Sequence, residues 1–158
     1  MNIRIDFFFC LIFSLSLFQI HCNNFYSTNY KNTIIAIENN TQCDLQKGKC
    51  EFEISKENTI WLEFFPKPIV PNNKHRAILH IQNLEWTPKE IDFIGVDMEM
   101  SFNRPEWKRK SPHEFTTDFV IESCASGEIR WKALVLLQNN DNKLYGIPFY
   151  FKAGSKKR

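Results

Sequence analysis

Hydrophobic and polar residues alternate along most of this chain, in short segments that turn residues separate. Side chains of a β-strand point alternately to its two faces, so a period of two indicates strands with one buried face. No long segment keeps the 3.6-residue period of an amphipathic helix. The pattern predicts an all-β fold, namely a single immunoglobulin- or cupredoxin-like β-sandwich of roughly seven to eight strands.

The predicted strands begin with an edge strand or lead-in at residues 33–37, and the longest of them lies at residues 91–102. Between these two, the prolines of the sequence PKPIVP interrupt the pattern, because a central strand cannot lose that many hydrogen-bond donors. The other predicted strands lie at residues 51–54, 59–65, 76–82, 115–121, 129–137 and 145–151.

Length and composition indicate one domain with a large core. The chain has 158 residues, and 15 of them are phenylalanines that can fill a sandwich interior. We predict that the sandwich occupies residues 33–152, after a polar tether at residues 23–32. Residues 153–158 are then a solvated basic tail.

Residues 1–22 have the features of an export signal. Arg4 lies in a short n-region, and the apolar run from Phe7 to Ile20 has the length of a signal-peptide h-region rather than of a transmembrane helix. Cleavage after Cys22 would release the protein, whereas cleavage before Cys22 would leave a lipobox cysteine that carries a diacylglycerol anchor. Both cut sites stay open. Either one predicts an exported protein, periplasmic or lipid-anchored in the cell envelope.

The charge balance limits the partners. The formal net charge is +2, and the only basic run is the tail Lys156-Lys157-Arg158, which is too short for a nucleic-acid interface. We therefore expect no nucleic-acid partner. A membrane contact is expected only through a lipid anchor at Cys22, and the expected partner is another envelope protein.

The predicted sandwich contains Cys43, Cys50 and Cys124. An exported protein meets an oxidising compartment, which favours disulfide pairing. Cys43 and Cys50 bracket the turn CDLQKGKC, and closing it would stabilise the fold by roughly 2–3 kcal/mol in the chain-entropy model. A bond from Cys124 to Cys43 or Cys50 would instead join two sheets. Either pairing leaves one thiol over, and a leftover thiol in an exported protein needs a reason.

Met98 and Met100 are two of the three methionines, and both fall in the long predicted strand. On the alternation they extend an apolar face, so one interpretation is that they fill irregular gaps in the core. Asp97 and Glu99 would then point to solvent. Gly95, where the opposite face changes from apolar to charged, would mark a bulge.

The functional interpretation of Met98 and Met100 is a soft-metal site, since thioethers select Cu(I). Residues two apart on a strand lie roughly 6–7 Å apart at Cα, which is close enough for both to bind one ion. A third ligand would come from another strand or loop, with Cys124 as the preferred candidate. The histidine candidates for that ligand are His80, His113 and His75.

The other candidate residues also have ordinary structural interpretations. Trp107 could cap the ion through a cation–π contact. His80 lies opposite the apolar face of its strand, which is typical of a surface histidine. His75 and His113 lie in polar turns and would be solvated, and Cys124 would be consumed by a disulfide.

Four motifs resemble a group of small, mostly uncharacterised exported bacterial β-sandwich proteins. They are the C-D-x-x-x-G-x-C turn, the P-x-P-I-x-P break, the G-V-D-M-x-M-x-x-N-R stretch and the late C-x-x-G-x-x-x-W-x-A, and they span residues 41–137. The chain is also loosely similar to YtkA-like and related periplasmic proteins linked to copper handling and cytochrome oxidase assembly. The shared positions that the resemblance implies are Cys43, Cys50, Met98, Met100, Asn103, Arg104, Cys124 and Trp131.

Motifs of catalysis do not support an enzyme. The sequence has no nucleophile elbow, no HExxH, no phosphate-binding glycine loop and no CxxC pair. We therefore predict a non-enzymatic envelope protein. The leading hypothesis is an accessory Cu(I)-binding or trafficking factor that uses Met98 and Met100. The alternative is a structural or protein-interaction module that holds no metal.

Overall fold

The computed structural model describes residues 33–36, 43–101, 103–124 and 127–154. All of them belong to the unit Asn32–Arg158. The predicted signal segment, the polar tether, Cys22 and tail residues 155–158 lie outside the described residues.

The described residues form nine β-strands, and none of them is helical. Accordingly, the described part of the chain offers no helix that is long and apolar enough to cross a membrane. The strands are β1 Thr33–Ala36, β2 Cys50–Ser55, β3 Asn58–Phe65, β4 His75–Ile81, β5 Thr87–Gly95, β6 Lys108–Arg109, β7 Glu114–Phe119, β8 Ile129–Gln138 and β9 Leu144–Ala153.

The strands form two sheets. The first sheet has the order β1-β9-β8-β5, and the second has the order β2-β3-β4-β7-β6. All paired strands are antiparallel except β1, which runs parallel to β9 at the edge of the first sheet. The predicted all-β sandwich and its edge strand are confirmed. The shortest strand, β6, has two residues and no counterpart among the predicted strands.

Aromatic side chains from both sheets meet in the centre of the core. The ring of Phe64 on β3 lies 5.9 Å from that of Phe93 on β5 and 5.3 Å from that of Phe151 on β9, between centroids. Phe119 on β7 stacks on Phe93 at 4.2 Å. All four are buried. Because aromatic rings bury large areas and add geometry-specific contacts, this cluster holds the two sheets together.

On β4, β7, β8 and β9 one face is buried, as the period-two alternation of these segments indicates. These faces turn toward the opposite sheet and supply much of the core. Their buried members include Ala77, Leu79, Ile81, Phe115, Thr117, Phe119, Trp131, Ala133, Val135, Ile147, Phe149 and Phe151.

The predicted strand at residues 91–102 is wrong in extent. β5 ends at Gly95, and the residues that follow form bends and loop. Ile91 and Phe93 form its core face, which is the face opposite to the one predicted for the methionines. Gly95 ends the strand instead of forming a bulge. A Cβ on Gly95 would lie 2.6 Å from the Met98 carbonyl oxygen and 2.6 Å from Met100 Cγ, so the chain folds back at a point where only glycine fits.

The two ends of the sandwich carry different connections. The short β2–β3, β4–β5, β6–β7 and β8–β9 connections lie at one end, here called the hairpin end. β1 begins at the same end, with Thr33 beside Leu144. The β3–β4, β5–β6 and β7–β8 connections leave their strands at the other end, here called the loop end.

A buried ion network ties the β5–β6 connection to the edge of the first sheet. Arg104 Nε donates to Asp92 Oδ1 at 2.9 Å, Arg104 Nη2 pairs with Asp92 Oδ2, and Arg104 Nη1 lies 2.8 Å from Glu90 Oε2. The Asp92 and Arg104 side chains are only 8% and 13% exposed. In addition, the Phe93 amide donates to the Asn103 carbonyl at 3.0 Å, so this connection is fixed along β5.

Replacing Arg104 by leucine is expected to lower the unfolding free energy by about 3–5 kcal/mol, because a buried carboxylate loses its charge-assisted hydrogen bonds. The double variant Asp92→Leu/Arg104→Leu should recover much of that loss. The measurement is urea unfolding, with Arg76→Leu as the control, since Arg76 forms an exposed ion pair. If the Arg104→Leu variant is as stable as the parent, the buried ion network of Arg104 does not stabilise the fold.

Candidate functional site

The methionines lie in the loop that follows β5, not on a strand. Met98 is 37% exposed, whereas Met100 is half-buried and packs against the core beside Gly95. Asp97 and Glu99 are exposed, as predicted. The two methionines therefore belong to one loop but have different environments.

Polar contacts hold this loop in place. Asp97 Oδ2 accepts from the Arg130 amide at 3.0 Å, and Asp97 Oδ1 accepts from the Arg130 guanidinium at 3.1 Å. The Val96 amide donates to the Arg130 carbonyl at 2.8 Å. Asn103 Nδ2 donates to the Val120 carbonyl at 2.6 Å. The β5–β6 connection is thereby bonded to the start of β8 and to the β7–β8 connection.

The predicted Cys43–Cys50 disulfide is confirmed, and the alternative bond from Cys124 to either of them is wrong. The closed turn presents Gln46 to two other segments. Gln46 Oε1 accepts from the Ile69 amide at 2.6 Å, and Gln46 Nε2 donates to the carbonyls of Ile69 and Lys152. The disulfide thus holds a side chain that joins the β3–β4 connection to the end of β9.

His80 and His113 lie toward the hairpin end, away from the methionines. His80 is five residues along β4 from His75, which is roughly 16 Å at the rise of a strand. His75 itself lies at the loop end, opposite Phe119 on β7. The structure therefore does not bring His80 or His113 to Met98 and Met100.

His80 forms part of a stacked row on the outer face of the second sheet. Its ring lies 3.8 Å from Trp61 and 5.9 Å from His113, between centroids. Burial lowers the pKa of His80 below its ordinary value, the charges of His113 and Lys49 lower this pKa further, and Glu114 opposes the shift. Both histidines are half-buried, and His113 Nδ1 donates to the Ile81 carbonyl at 2.9 Å. His113 is therefore partly exposed, with one ring nitrogen bonded to the main chain.

His75 is buried, with 2% exposed, so the prediction of a solvated histidine is wrong. Its Nδ1 lies 3.1 Å from the Pro66 carbonyl and donates to it, because a carbonyl oxygen can only accept. Its Nε2 lies 2.9 Å from the Val70 carbonyl oxygen and 3.1 Å from the Val70 amide nitrogen. His75 therefore pins both halves of the β3–β4 connection and is a structural residue.

Cys124 lies at the loop end, as the methionines do, in the β7–β8 connection, where it forms an isolated bridge with Gly127. Trp107, the predicted cation–π cap, is half-buried and packs against the core. The described residues contain no group of three or more His, Cys, Asp or Glu side chains that could hold a metal ion. A site at the loop end would therefore depend on the methionine sulfurs.

Exposed apolar side chains concentrate at the loop end. Seven large hydrophobic residues of the described chain are exposed, and only Leu84, at 58%, lies at the hairpin end. The other six lie on connections and strand ends at the loop end and are here called the docking surface. The docking surface consists of Phe65, Val70, Val96, Met98, Val120 and Tyr150.

Sequence reasoning missed the residues that organise the loop end. Asn72 has a positive φ of 62°, its Nδ2 donates to Ser123 Oγ at 2.9 Å, and its Oδ1 accepts from the Ser123 amide. Sequence reasoning also missed Gln46 and Tyr150. No local signal distinguishes them, because the partners of Gln46 and Asn72 lie far away in the sequence.

No protein-family model matches the chain, and no curated protein matches it. Among solved structures, the crystal structure of a DUF4426 family protein from Pseudomonas aeruginosa PAO1 is similar, with 8% sequence identity and a TM-score of 0.49. The match covers 70% of this chain and 98% of that chain. A likeness at this level assigns no function, and the resemblance to exported bacterial β-sandwich proteins stays a prediction.

The lowered pKa of His80 predicts a pH dependence of stability. The unfolded chain binds this proton more tightly than the folded protein does. The unfolding free energy should therefore fall as the pH drops through the ordinary histidine pKa near 6.5 toward the lower folded value. Urea unfolding at about pH 7.5 and about pH 5 should show a smaller pH dependence in His80→Gln than in the parent. An identical pH dependence in both proteins would rule this out.

Proposed function

We propose that this protein is a non-enzymatic, exported β-sandwich module that binds another protein of the cell envelope through its loop end. The observation that carries the proposal is the distribution of exposed large apolar side chains among the described residues, where six of the seven make up the docking surface. Their loops are bonded to one another through Asn72, Asn103 and Asp97. A surface that is ordered before binding loses little conformational entropy in the complex.

The position of β1 supports a protein partner. Thr33 lies at the hairpin end, beside Leu144. Any tether that precedes Thr33 is joined to the sandwich there, at the end opposite to the docking surface. A lipid anchor at Cys22 would leave the loop end available to partners.

Charges near the docking surface also favour a protein over an anionic membrane. Arg130 pairs with Asp97 at 3.1 Å, and Arg76 and Lys74 both pair with Asp118, at 2.8 and 2.9 Å. Hydrogen bonds from Arg76 and Lys74 lower the pKa of Asp118 to about 2, so this carboxylate is charged at neutral pH. Binding to anionic lipids relies on clustered basic charge. Here each of these basic side chains already pairs with a carboxylate, and Arg76 and Lys74 share one.

Site-specific photo-crosslinking in the producing cell tests the proposal. A photoreactive amino acid at Val120, which is 44% exposed, should give a discrete adduct, and the same group at Leu84 should give none. Adding Phe65→Asp to the Val120 derivative should abolish the adduct, because a charge would be buried in an apolar contact. Equal adducts from both positions, or none from either, would contradict a docking function at the loop end.

The second candidate function is Cu(I) binding, and the exposure of Met98 favours it. A thioether at a loop tip can reach an ion from solvent, and Met100 lies two residues further along the same loop. Cys124, at the same end of the sandwich, is the proposed third ligand. The function would then be that of an accessory Cu(I) carrier.

An anaerobic Cu(I) competition titration tests this second function. The parent should bind one ion, and Met98→Leu/Met100→Leu should lose at least tenfold in affinity, as should Cys124→Ser. His113→Gln serves as the control and should bind like the parent, because His113 lies toward the hairpin end. Equal binding by the parent and the methionine variant would leave both side chains as packing residues.

A further inference from the structure

A cleft of about 830 Å³ opens at the loop end. Its floor is the last part of β9, at Phe151 and Ala153. Three segments form its walls, namely the disulfide-closed turn with Cys43, residues 68–71 of the β3–β4 connection, and residues 127–130 at the start of β8. The cleft thus lies where connections of the second sheet meet strands of the first.

The walls are braced before anything binds. The Gln46 side chain bonds Ile69 on one wall and Lys152 on the floor, so two segments are held at a set separation. The Asn72–Ser123 pair joins the β3–β4 and β7–β8 connections on the other side. A preformed cleft requires little ordering of the protein when a ligand enters.

The chemistry of the lining selects an uncharged ligand. Lys152 pairs with Glu128 at 3.7 Å, and Arg130 pairs with Asp97 at 3.1 Å. The lining carboxylate of Asp44 pairs with Lys47 at 3.4 Å, so the charged groups of the lining already have counter-charges. A charged ligand that enters the cleft would lose its hydration. It would find no unpaired opposite charge there to make up for that loss. The remaining lining is largely apolar and includes Pro68, Ile69, Val70, Pro71, Tyr150 and Phe151.

We propose that the cleft receives apolar, uncharged side chains from an extended segment of the docking partner, an inference that rests on the proposed docking function. Val70 and Tyr150 belong both to the cleft and to the docking surface, so a partner that covers them would also reach the cleft. The volume lies within the range of about 300–1,000 Å³ that is typical of ligand pockets. Large apolar side chains that fill such pockets carry most of the energy of protein interfaces.

Amide chemical shifts of the purified, isotope-labelled protein test the inference. The probes are three Gly-Ser decapeptides that carry Leu-Phe-Leu, Ser-Ser-Ser or Asp-Phe-Lys at the centre. Only the Leu-Phe-Leu peptide should shift the amides of Ile69, Gly127 and Phe151. Val70→Asp and Tyr150→Asp should each weaken its binding at least tenfold. Leu84→Asp, an exposed apolar-to-acidic change at the hairpin end, should bind like the parent.

Other outcomes would overturn the inference. Peptide-induced shifts at Phe65 and Val120 but not in the cleft would refute the cleft assignment and leave the docking surface intact. If the Leu-Phe-Leu peptide shifts no amide, the cleft inference is also refuted. The photo-crosslinking experiment decides the docking function separately. Sedimentation with phosphatidylglycerol vesicles that Val70→Asp abolishes would assign the surface to lipid instead. A concentration-dependent dimer that Val70→Asp dissociates would assign it to a second copy of this chain.

Discussion

The aromatic contact between the two sheets is the interaction on which the rest of the structure depends. Phe64 and Phe119 from the second sheet interlock with Phe93 and Phe151 from the first. With no helix among the described residues, this face-to-face burial is the main source of apolar stabilisation in this part of the chain. Phe93, Phe119 and Phe151 also lie near the ends of β5, β7 and β9. The core cluster therefore sets the positions from which the loop-end connections depart.

Those connections are ordered by polar contacts rather than by a core of their own. Asp97, Asn103, Gln46 and Asn72 each use a side chain to satisfy main-chain groups of another segment. Loop backbone at a sandwich end has no ladder partner, so such contacts meet its hydrogen-bonding needs. A loop held in this way cannot turn its apolar side chains into a core that is already filled. Its apolar residues therefore remain exposed to solvent. Exposed apolar area lowers solubility unless a partner covers it, which is consistent with a binding surface.

The methionine pair and the cleft share the loop end, and this arrangement links the two proposed functions. Met98 is part of the docking surface, and Cys124 lines the cleft. A carrier that hands an ion to a partner would need both a soft ligand and a docking contact at one end of the molecule. His80 and His113 lie away from both, since the direction of β4 takes His80 toward the hairpin end. His75 lies at the loop end and contacts the main chain of Val70 there.

The sequence by itself determined the sandwich and its strands with one buried face, because period-two alternation is a local property. It left the disulfide open between Cys43–Cys50 and a bond to Cys124, and the structure selected the short turn. Only the tertiary structure decided that β5 ends at Gly95, where the returning chain leaves no room for a Cβ. It also decided the burial of His75, the Arg104–Asp92 network and the walls of the cleft. These features arise from contacts between segments that are distant along the chain, and such contacts depend on how strands pair and cross, which no local periodicity encodes.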